Sequence, residues 1–264
     1  MEDHESFVES ILHKLIRKHI AGTTMDSALE AARELNSSNI PSSITFLSGN
    51  VLDKSKARYN ATAYSELARR ISRSGIKSSM HVRLEQLGSE FDEELAVGNA
   101  MAVAESAGKY GVFMWIDPNN ASVHNALKLS KLEGVGLAIN VARIDEYIRS
   151  GPRINFLKMS FKDYEYDRKE LQRRVAEVRK SVDNLVLSSF DSSIMRYIVR
   201  SKRTGSIAFE LGYGDRKIKR ASKKGVDVSV LVPFGKDWIR YAMNNVPEGY
   251  MRFVAGKLLK ERVA

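Results

Sequence analysis

Eight short apolar runs recur along this chain, and each is separated from the next by a longer segment with helical patterning. The runs are rich in β-branched and aromatic residues, as strands are, whereas the longer segments repeat apolar residues at spacings of three and four. Strands that alternate with helices predict parallel βαβ units. Eight such units are the number that a closed (β/α)8 TIM-type barrel contains, so the sequence predicts this fold. The predicted strands are SSITFL (42–47), MHVRL (80–84), GVFMWID (111–117), VGLAINV (135–141), INFLKMS (154–160), NLVLSSF (184–190), GSIAFEL (205–211) and DVSVLVPF (227–234).

The segments between and around these strands predict helices, which complete a single α/β domain over residues 1–264. Three segments predicted as helices end near glycine, as the carboxyl termini of helices often do, at Gly75, Gly108 and Gly225. Residues 1–20 predict an extra N-terminal helix at the bottom of the barrel, and residues 235–264 predict C-terminal helices.

Composition excludes several classes of site. The chain has no cysteine, which excludes disulfides, thiol nucleophiles and zinc–thiolate centres. The sequence contains no dinucleotide-binding glycine motif, no P-loop and no G-x-S-x-G nucleophile motif. The five histidines show no metal-ligand spacing, so we expect no metal site.

The net charge of +10 raises the question of an anionic partner. Lysine and arginine are spread along the chain, and the densest basic cluster is DRKIKRASKKG (215–225). No aromatic residue interleaves with this cluster, which favours a solvated helix face over a nucleic-acid site. No apolar run approaches the roughly 18 residues of a membrane span, and the N-terminus has no apolar signal region. We therefore expect a cytoplasmic protein without a membrane span and without a nucleic-acid partner.

In barrels of this kind the chemistry lies at the carboxyl ends of the strands. Asp117 ends the third strand, where it is expected to line the pocket or to cap the next helix beside Pro118. Lys158 lies within an apolar strand, and an inward lysine needs an anionic partner, so a pocket position is favoured over an outward, snorkelling one. Arg83 is expected to line the same pocket or to form an ion pair with Asp117 or Glu210.

An ordered set of motifs over most of the chain carries a family resemblance. The motifs are VRLEQLG (82–88), WID (115–117), LKMSFKDYE (157–165), SSFD (188–191), FELGYG (209–214) and VPFGKDWIRYAMNNVPE (232–248). With these motifs the chain resembles the proline dehydrogenase family, which consists of FAD-dependent barrel enzymes that oxidise proline to pyrroline-5-carboxylate. The resemblance implies hydride transfer to a flavin, with the protein supplying position and charge.

The resemblance also implies roles for individual residues. It predicts a substrate site formed by Arg83, Asp117, Tyr241, Asn244, Asn245 and Glu248. It predicts a cofactor site formed by Lys158, Asn155, Ala138, Ser189 and Glu210, with Lys158 near the flavin phosphates or ring. An adjacent pair of arginines holds the substrate carboxylate in the family, and asparagines stand at both positions here.

Two functions from different classes follow from this resemblance. The first is an FAD-dependent oxidoreductase that acts on proline or a related small cyclic or secondary amine and passes electrons to an acceptor or protein partner. The alternative is a diverged, non-catalytic barrel that serves as a binding module or as a subunit of a complex. The departures from the family pattern motivate the alternative, and they fall at Ala138, Asn155, Phe190, Asn244 and Asn245.

Overall fold

The computed structural model describes residues 19–150, 153–161, 168–188, 206–212 and 215–237. Eight parallel strands form a closed barrel in chain order, and β8 pairs with β1 to close it. The predicted (β/α)8 barrel is therefore confirmed. The strands are β1 (Ser42–Leu47), β2 (Ser78–Arg83), β3 (Met114–Asp117), β4 (Val135–Asn140), β5 (Ile154–Ser160), β6 (Val182–Ser188), β7 (Ser206–Glu210) and β8 (Val228–Gly235).

Seven α-helices lie within the described residues, in addition to two short 3-10 turns at Leu84–Leu87 and Val141–Arg143. The helices are α1 (Met25–Ser37), α2 (Lys54–Ser74), α3 (Glu93–Lys109), α4 (Val123–Leu129), α5 (Ile144–Ser150), α6 (Arg168–Ser181) and α7 (Asp215–Lys223). None of these helices is both long enough and apolar enough to cross a membrane.

Local signals set the helix ends. The carboxylate of Asp53 caps α2 by accepting from the backbone N–H of Lys56 at 2.8 Å, and the helix ends at Gly75 in the left-handed region. The predicted end of α3 at Gly108 is wrong by one residue. The helix runs on to Lys109, and the left-handed conformation falls at Gly111, with a φ of 66°.

Alternate strand residues face opposite sides of the barrel wall. The outward residues pack against the helices and form the main core, of which Val82, Ile116, Met159 and Leu187 are fully buried members. This burial fixes the strand register, and the register decides which residues point into the barrel.

At the amino end of the barrel, Phe113, Trp115 and Phe156 form an aromatic floor. The ring of Phe113 meets Trp115 edge to face at 4.9 Å and Phe156 at 5.0 Å between ring centroids. Gly136 lies against this floor, where a Cβ atom would come within 2.7 Å of Trp115 Cζ3. Only glycine leaves room for the indole at this position.

The described segment before α1 reaches the carboxyl end of the barrel. Ala21 N–H donates to Pro233 O at 2.9 Å, and Gly235 N–H donates to Gly22 O at 2.9 Å, so this segment is tied to the carboxyl end of β8. His19 also contacts the backbone oxygen of Leu211, just after β7. The predicted N-terminal helix and C-terminal helices lie almost entirely outside the described residues.

Candidate functional site

A cavity of about 580 Å³ opens at the carboxyl end of the barrel. This volume lies within the range of roughly 300–1,000 Å³ that is typical of small-molecule and cofactor sites. Its lining includes several charged and titratable side chains, and six of them we call the charged lining: His81, Arg83, Asp117, Arg143, Lys158 and Glu210. The cavity therefore combines cations and carboxylates within a space of ligand size.

Arg83 lies at the end of β2 and forms an ion pair with Glu85, at 3.1 Å from its Nη1 to Glu85 Oε1. This corrects the expected pairing with Asp117 or Glu210, because the turn after β2 brings Glu85 back onto the guanidinium. The side-chain amide of Asn119 donates a hydrogen bond from Nδ2 to the other carboxylate oxygen of Glu85, Oε2, at 2.8 Å. The Nε atom of Arg83 is buried and has no hydrogen-bond partner in the part of the chain that the structure describes.

Asp117 lines the cavity from the end of β3. Its Oδ1 accepts the backbone N–H of Asn119 at 3.0 Å, and its Oδ2 lies 3.8 Å from His81 Nε2. The next helix, α4, is capped instead by Ser122, whose hydroxyl accepts from Asn125 N–H. The pocket interpretation of Asp117 therefore holds, and the helix-cap interpretation does not.

Opposing influences act on the pKa values of Asp117 and His81. Burial alone would raise the pKa of Asp117, but the neighbouring His81 imidazole, the Asn119 amide and the Arg83 charge lower it overall. Burial lowers the pKa of His81, and the nearby Lys158 and Arg83 charges act in the same direction, while Asp117 opposes them. At neutral pH the pair is therefore an ionised carboxylate beside a neutral imidazole.

Lys158 points into the barrel and is only 5% exposed. Its Nζ atom lies 4.8 Å from the centre of the Trp115 ring, at the upper side of the aromatic floor. Burial lowers the pKa of Lys158 to about 8, while the charges of Glu210 and Asp117 oppose this shift. The ammonium thus lies between an apolar surface and the carboxylates of the cavity.

Arg143 is a site residue that sequence reasoning missed. It follows β4 and donates from Nη1 to Asn119 O and from Nη2 to Ala121 O, the latter at 3.3 Å. Its Nη2 also pairs with Glu146 at 2.8 Å. Arg143 thereby braces the loop after β3, in which Asn119 adopts a φ of 47°. Its position just beyond a strand end was the available signal.

Among the described residues, no group of three or more His, Asp or Glu side chains is arranged to hold a metal ion.

The sequence similarity to known proteins extends over nearly the whole chain. Proline dehydrogenase 1 of Bacillus subtilis (strain 168) is 24% identical over 260 residues, which cover 88% of this chain and 86% of the relative. Proline dehydrogenase of Deinococcus radiodurans is 22% identical over 279 residues, with 92% and 89% covered. Over most of its length this chain is therefore similar to proline dehydrogenases, at low sequence identity. No family model matches it.

Two solved structures of proline utilization A have the same fold as this chain. Proline utilization A (PutA) from Bdellovibrio bacteriovorus, inactivated by N-propargylglycine, superposes with a TM-score of 0.67 at 15% identity, covering 89% of this chain. PutA from Corynebacterium freiburgense gives a TM-score of 0.64 at 11% identity, covering 96% of this chain. The chain spans about a third of each of these proteins, 33% in both cases.

The structure brings together most of the described residues that the proline dehydrogenase resemblance selected. Arg83, Asp117, Ala138, Lys158 and Glu210 all line the cavity. Five further predicted residues lie outside the described residues, namely Ser189, Tyr241, Asn244, Asn245 and Glu248.

Asn155 is the exception among the described predictions, because the structure does not bring it to the cavity. It is exposed near the amino end of β5, three residues before Lys158 and therefore on the opposite face of the strand. Its backbone oxygen accepts from Asn184 Nδ2 at 3.1 Å. A motif match places a residue on a strand, but it does not decide which end and which face of the barrel that residue occupies.

Proposed function

We propose that this protein is an FAD-dependent oxidoreductase that oxidises proline or a related small cyclic or secondary amine. The observation that carries the proposal is the convergence of Arg83, Asp117 and Lys158 on one cavity at the carboxyl end of the barrel. Active sites in barrel enzymes lie at this end. The similarity to proline dehydrogenases over 88% of the chain supports the reaction class.

The residues of the cavity fit a flavin. Lys158 Nζ and the Arg83 guanidinium are cationic donors, and the buried Nε of Arg83 is unpartnered within the described part of the chain. Trp115 supplies an apolar surface beneath Lys158. When bound, FAD would supply the hydride acceptor for amine oxidation. In this proposal Lys158 holds the anionic part of the cofactor, with Ala138 and Glu210 on the same side of the cavity.

The other charges of the cavity suit an amine substrate. The ionised Asp117 carboxylate attracts the positively charged nitrogen of a secondary amine and the iminium that its oxidation produces. Arg83 is level with Asp117 in the register of β2 and β3 and lines the same cavity. It is therefore suited to a substrate carboxylate. The contribution of Asn244 and Asn245 stays a prediction from the sequence.

The proposal includes a cytoplasmic location and a separate electron acceptor, because each turnover leaves two electrons on the reduced flavin. The test is an FAD titration followed by anaerobic addition of proline or of pyrrolidine, which lacks the carboxylate. We expect bound FAD and bleaching of the flavin absorbance by at least one of these amines. Bound FAD that neither amine reduces would contradict the proposed substrate class. Absence of FAD binding at any practical concentration would favour the non-catalytic binding module.

A further inference from the structure

His81 lines the cavity beside the Asp117 carboxylate, and the family resemblance gives it no role. We infer that His81 is a positioning residue that acts through Asp117, keeping this carboxylate turned into the cavity as the counter-ion of a protonated amine. The inference rests on the proposed function for its substrate class and adds a residue to the recognition of that substrate.

The geometry places one contact on each oxygen of the carboxylate. Asn119 N–H donates to Oδ1 at 3.0 Å, and His81 Nε2 lies 3.8 Å from Oδ2. The side chain of Asp117 remains 33% exposed and lines the cavity. The two contacts limit rotation of the carboxylate and leave a solvent-accessible part of it facing the ligand space.

His81 is a largely buried member of the cavity lining. The residue is 9% exposed, and its Nδ1 atom is buried without a hydrogen-bond partner among the described residues. The strand register explains the contact with Asp117. His81 is level with Trp115, whereas Arg83, two residues on, is level with Asp117, so the imidazole meets the carboxylate diagonally. A buried nitrogen without a hydrogen-bond partner costs folding free energy. An apolar side chain would therefore fill this position at a lower cost than the imidazole does.

Burial first, and then the surrounding charges, set the protonation state of His81. Lys158 on β5 and Arg83 on β2 disfavour the imidazolium, whereas Asp117 on β3 favours it, and burial lowers the pKa of His81 below its ordinary value of 6.5. At neutral pH the neutral ring therefore orients Asp117 without cancelling its charge. As the pH falls through this lowered pKa, the imidazolium pairs with Asp117 and competes with the substrate ammonium. Binding of a cationic amine should weaken in acid for this reason.

The first test measures pyrrolidine binding to the full chain by calorimetry between pH 5 and pH 8. His81→Phe removes the polar contact and should weaken pyrrolidine binding at pH 8 by about threefold or more, the size expected for a polar contact at this distance. His81→Gln retains a donor amide near the position of Nε2 but cannot gain a proton. It should restore most of the binding at pH 8 and lose the weakening in acid. His124→Gln, on the exposed face of α4, is the matched control and should behave as the unmodified chain.

The second test needs neither flavin nor turnover, so it separates failure of this inference from failure of the proposed oxidation. The pH titration of the His81 imidazole is followed by NMR in the unmodified chain and in Asp117→Asn. Since the carboxylate favours the imidazolium, the pKa of His81 should fall further in the variant. An unchanged His81 titration in Asp117→Asn, or pyrrolidine binding by His81→Phe equal to that of the unmodified chain, would overturn the inference. The NMR result stands even where His81→Phe fails to fold.

Discussion

At the amino end of the barrel the interior is closed by three packed aromatic rings, whereas at the carboxyl end it is lined by charged side chains around an open cavity. The aromatic floor packs edge to face and leaves room only for a glycine at position 136. The charged lining holds cations and carboxylates together in about 580 Å³. The same eight strands therefore perform two tasks, and the position along each strand decides which task a residue has.

Lys158 shows how the two ends influence each other. Its ammonium lies on the upper side of Trp115, and burial against this apolar surface lowers its pKa to about 8. An apolar floor strengthens charge interactions above it, because it excludes water and lowers the local dielectric constant. The amino end thus contributes to the chemistry of the cavity without lining the ligand space with charge.

The largest expected effect is on the aromatic floor. Trp115→Ala removes a buried indole that contacts Phe113 and the region of Gly136, and should lower the free energy of unfolding by about 3–5 kcal/mol. Urea denaturation followed by far-UV circular dichroism measures this loss. Tyr59→Ala, which removes an aromatic side chain from a residue that is 61% exposed, is the control and should cost far less. Equal losses in the two variants would show that the floor is not a packed unit.

The second prediction concerns a cavity residue whose substitution should raise the free energy of unfolding. The pKa of Lys158 in the folded chain, about 8, is below its ordinary value of 10.5, so the charged form destabilises the fold. This cost is full below about pH 8 and disappears as the pH rises to about 10.5. Lys158→Met should therefore stabilise the chain at pH 7 by on the order of 3 kcal/mol, with the gain vanishing towards pH 10.5.

Lys109→Met provides the matched control for this pH dependence. Lys109 also lies over an aromatic ring, that of Tyr110, but it is exposed at the end of α3. Its substitution should change stability little at either pH. A destabilised Lys158→Met variant at pH 7 would contradict the burial of an ionisable amine in the cavity.

A smaller loss is expected from adding one methyl group at the floor. Gly136→Ala places a Cβ atom 2.7 Å from Trp115 Cζ3 and 2.9 Å from Phe156 Cβ, and should destabilise the chain by about 1–3 kcal/mol. Gly98→Ala on α3 is the control, because a Cβ atom there meets nothing within 4 Å and alanine favours a helix. Thermal unfolding should move the two variants in opposite directions.

The smallest expected effect concerns the brace behind the cavity. Arg143→Lys keeps the charge but loses the planar fork that reaches Asn119 O and Ala121 O, at a cost of about 1 kcal/mol. Amide hydrogen exchange in residues 118–122 should accelerate. Arg149→Lys, at a residue whose side chain is 80% exposed, should leave exchange in that loop unchanged. Equal exchange in both variants would remove Arg143 from the account of the site.

The barrel was predictable from the sequence because its signals are local. The apolar runs of β1 and β5 coincide with the strands, and most other strand bounds differ from the prediction by one or two residues. β3 differs most, since its first predicted residue, Gly111, adopts the left-handed conformation after α3. The inward position of Lys158 was likewise accessible, because a lysine between apolar neighbours has few other stable positions.

The details of the site depended on register and on turns, which the sequence does not specify. Glu85 reaches Arg83 only because the chain turns directly after β2. His81 had no pattern of its own, and its contact with Asp117 follows from the offset between β2 and β3. Asn155 was assigned to the cofactor site from a motif, although its strand position turns it away from the cavity.

In this proposal the charged lining binds the cofactor, whereas the aromatic floor mainly stabilises the fold, and the FAD affinity of one variant from each end distinguishes the two roles. Lys158→Met should bind FAD about tenfold or more weakly than the unmodified chain, the effect of losing one charge-assisted contact, although the variant is the more stable protein. Gly136→Ala should bind FAD within about twofold of the unmodified chain, although it is the less stable protein. Unchanged affinity in Lys158→Met, or an equal loss of affinity in Gly136→Ala, would contradict the account.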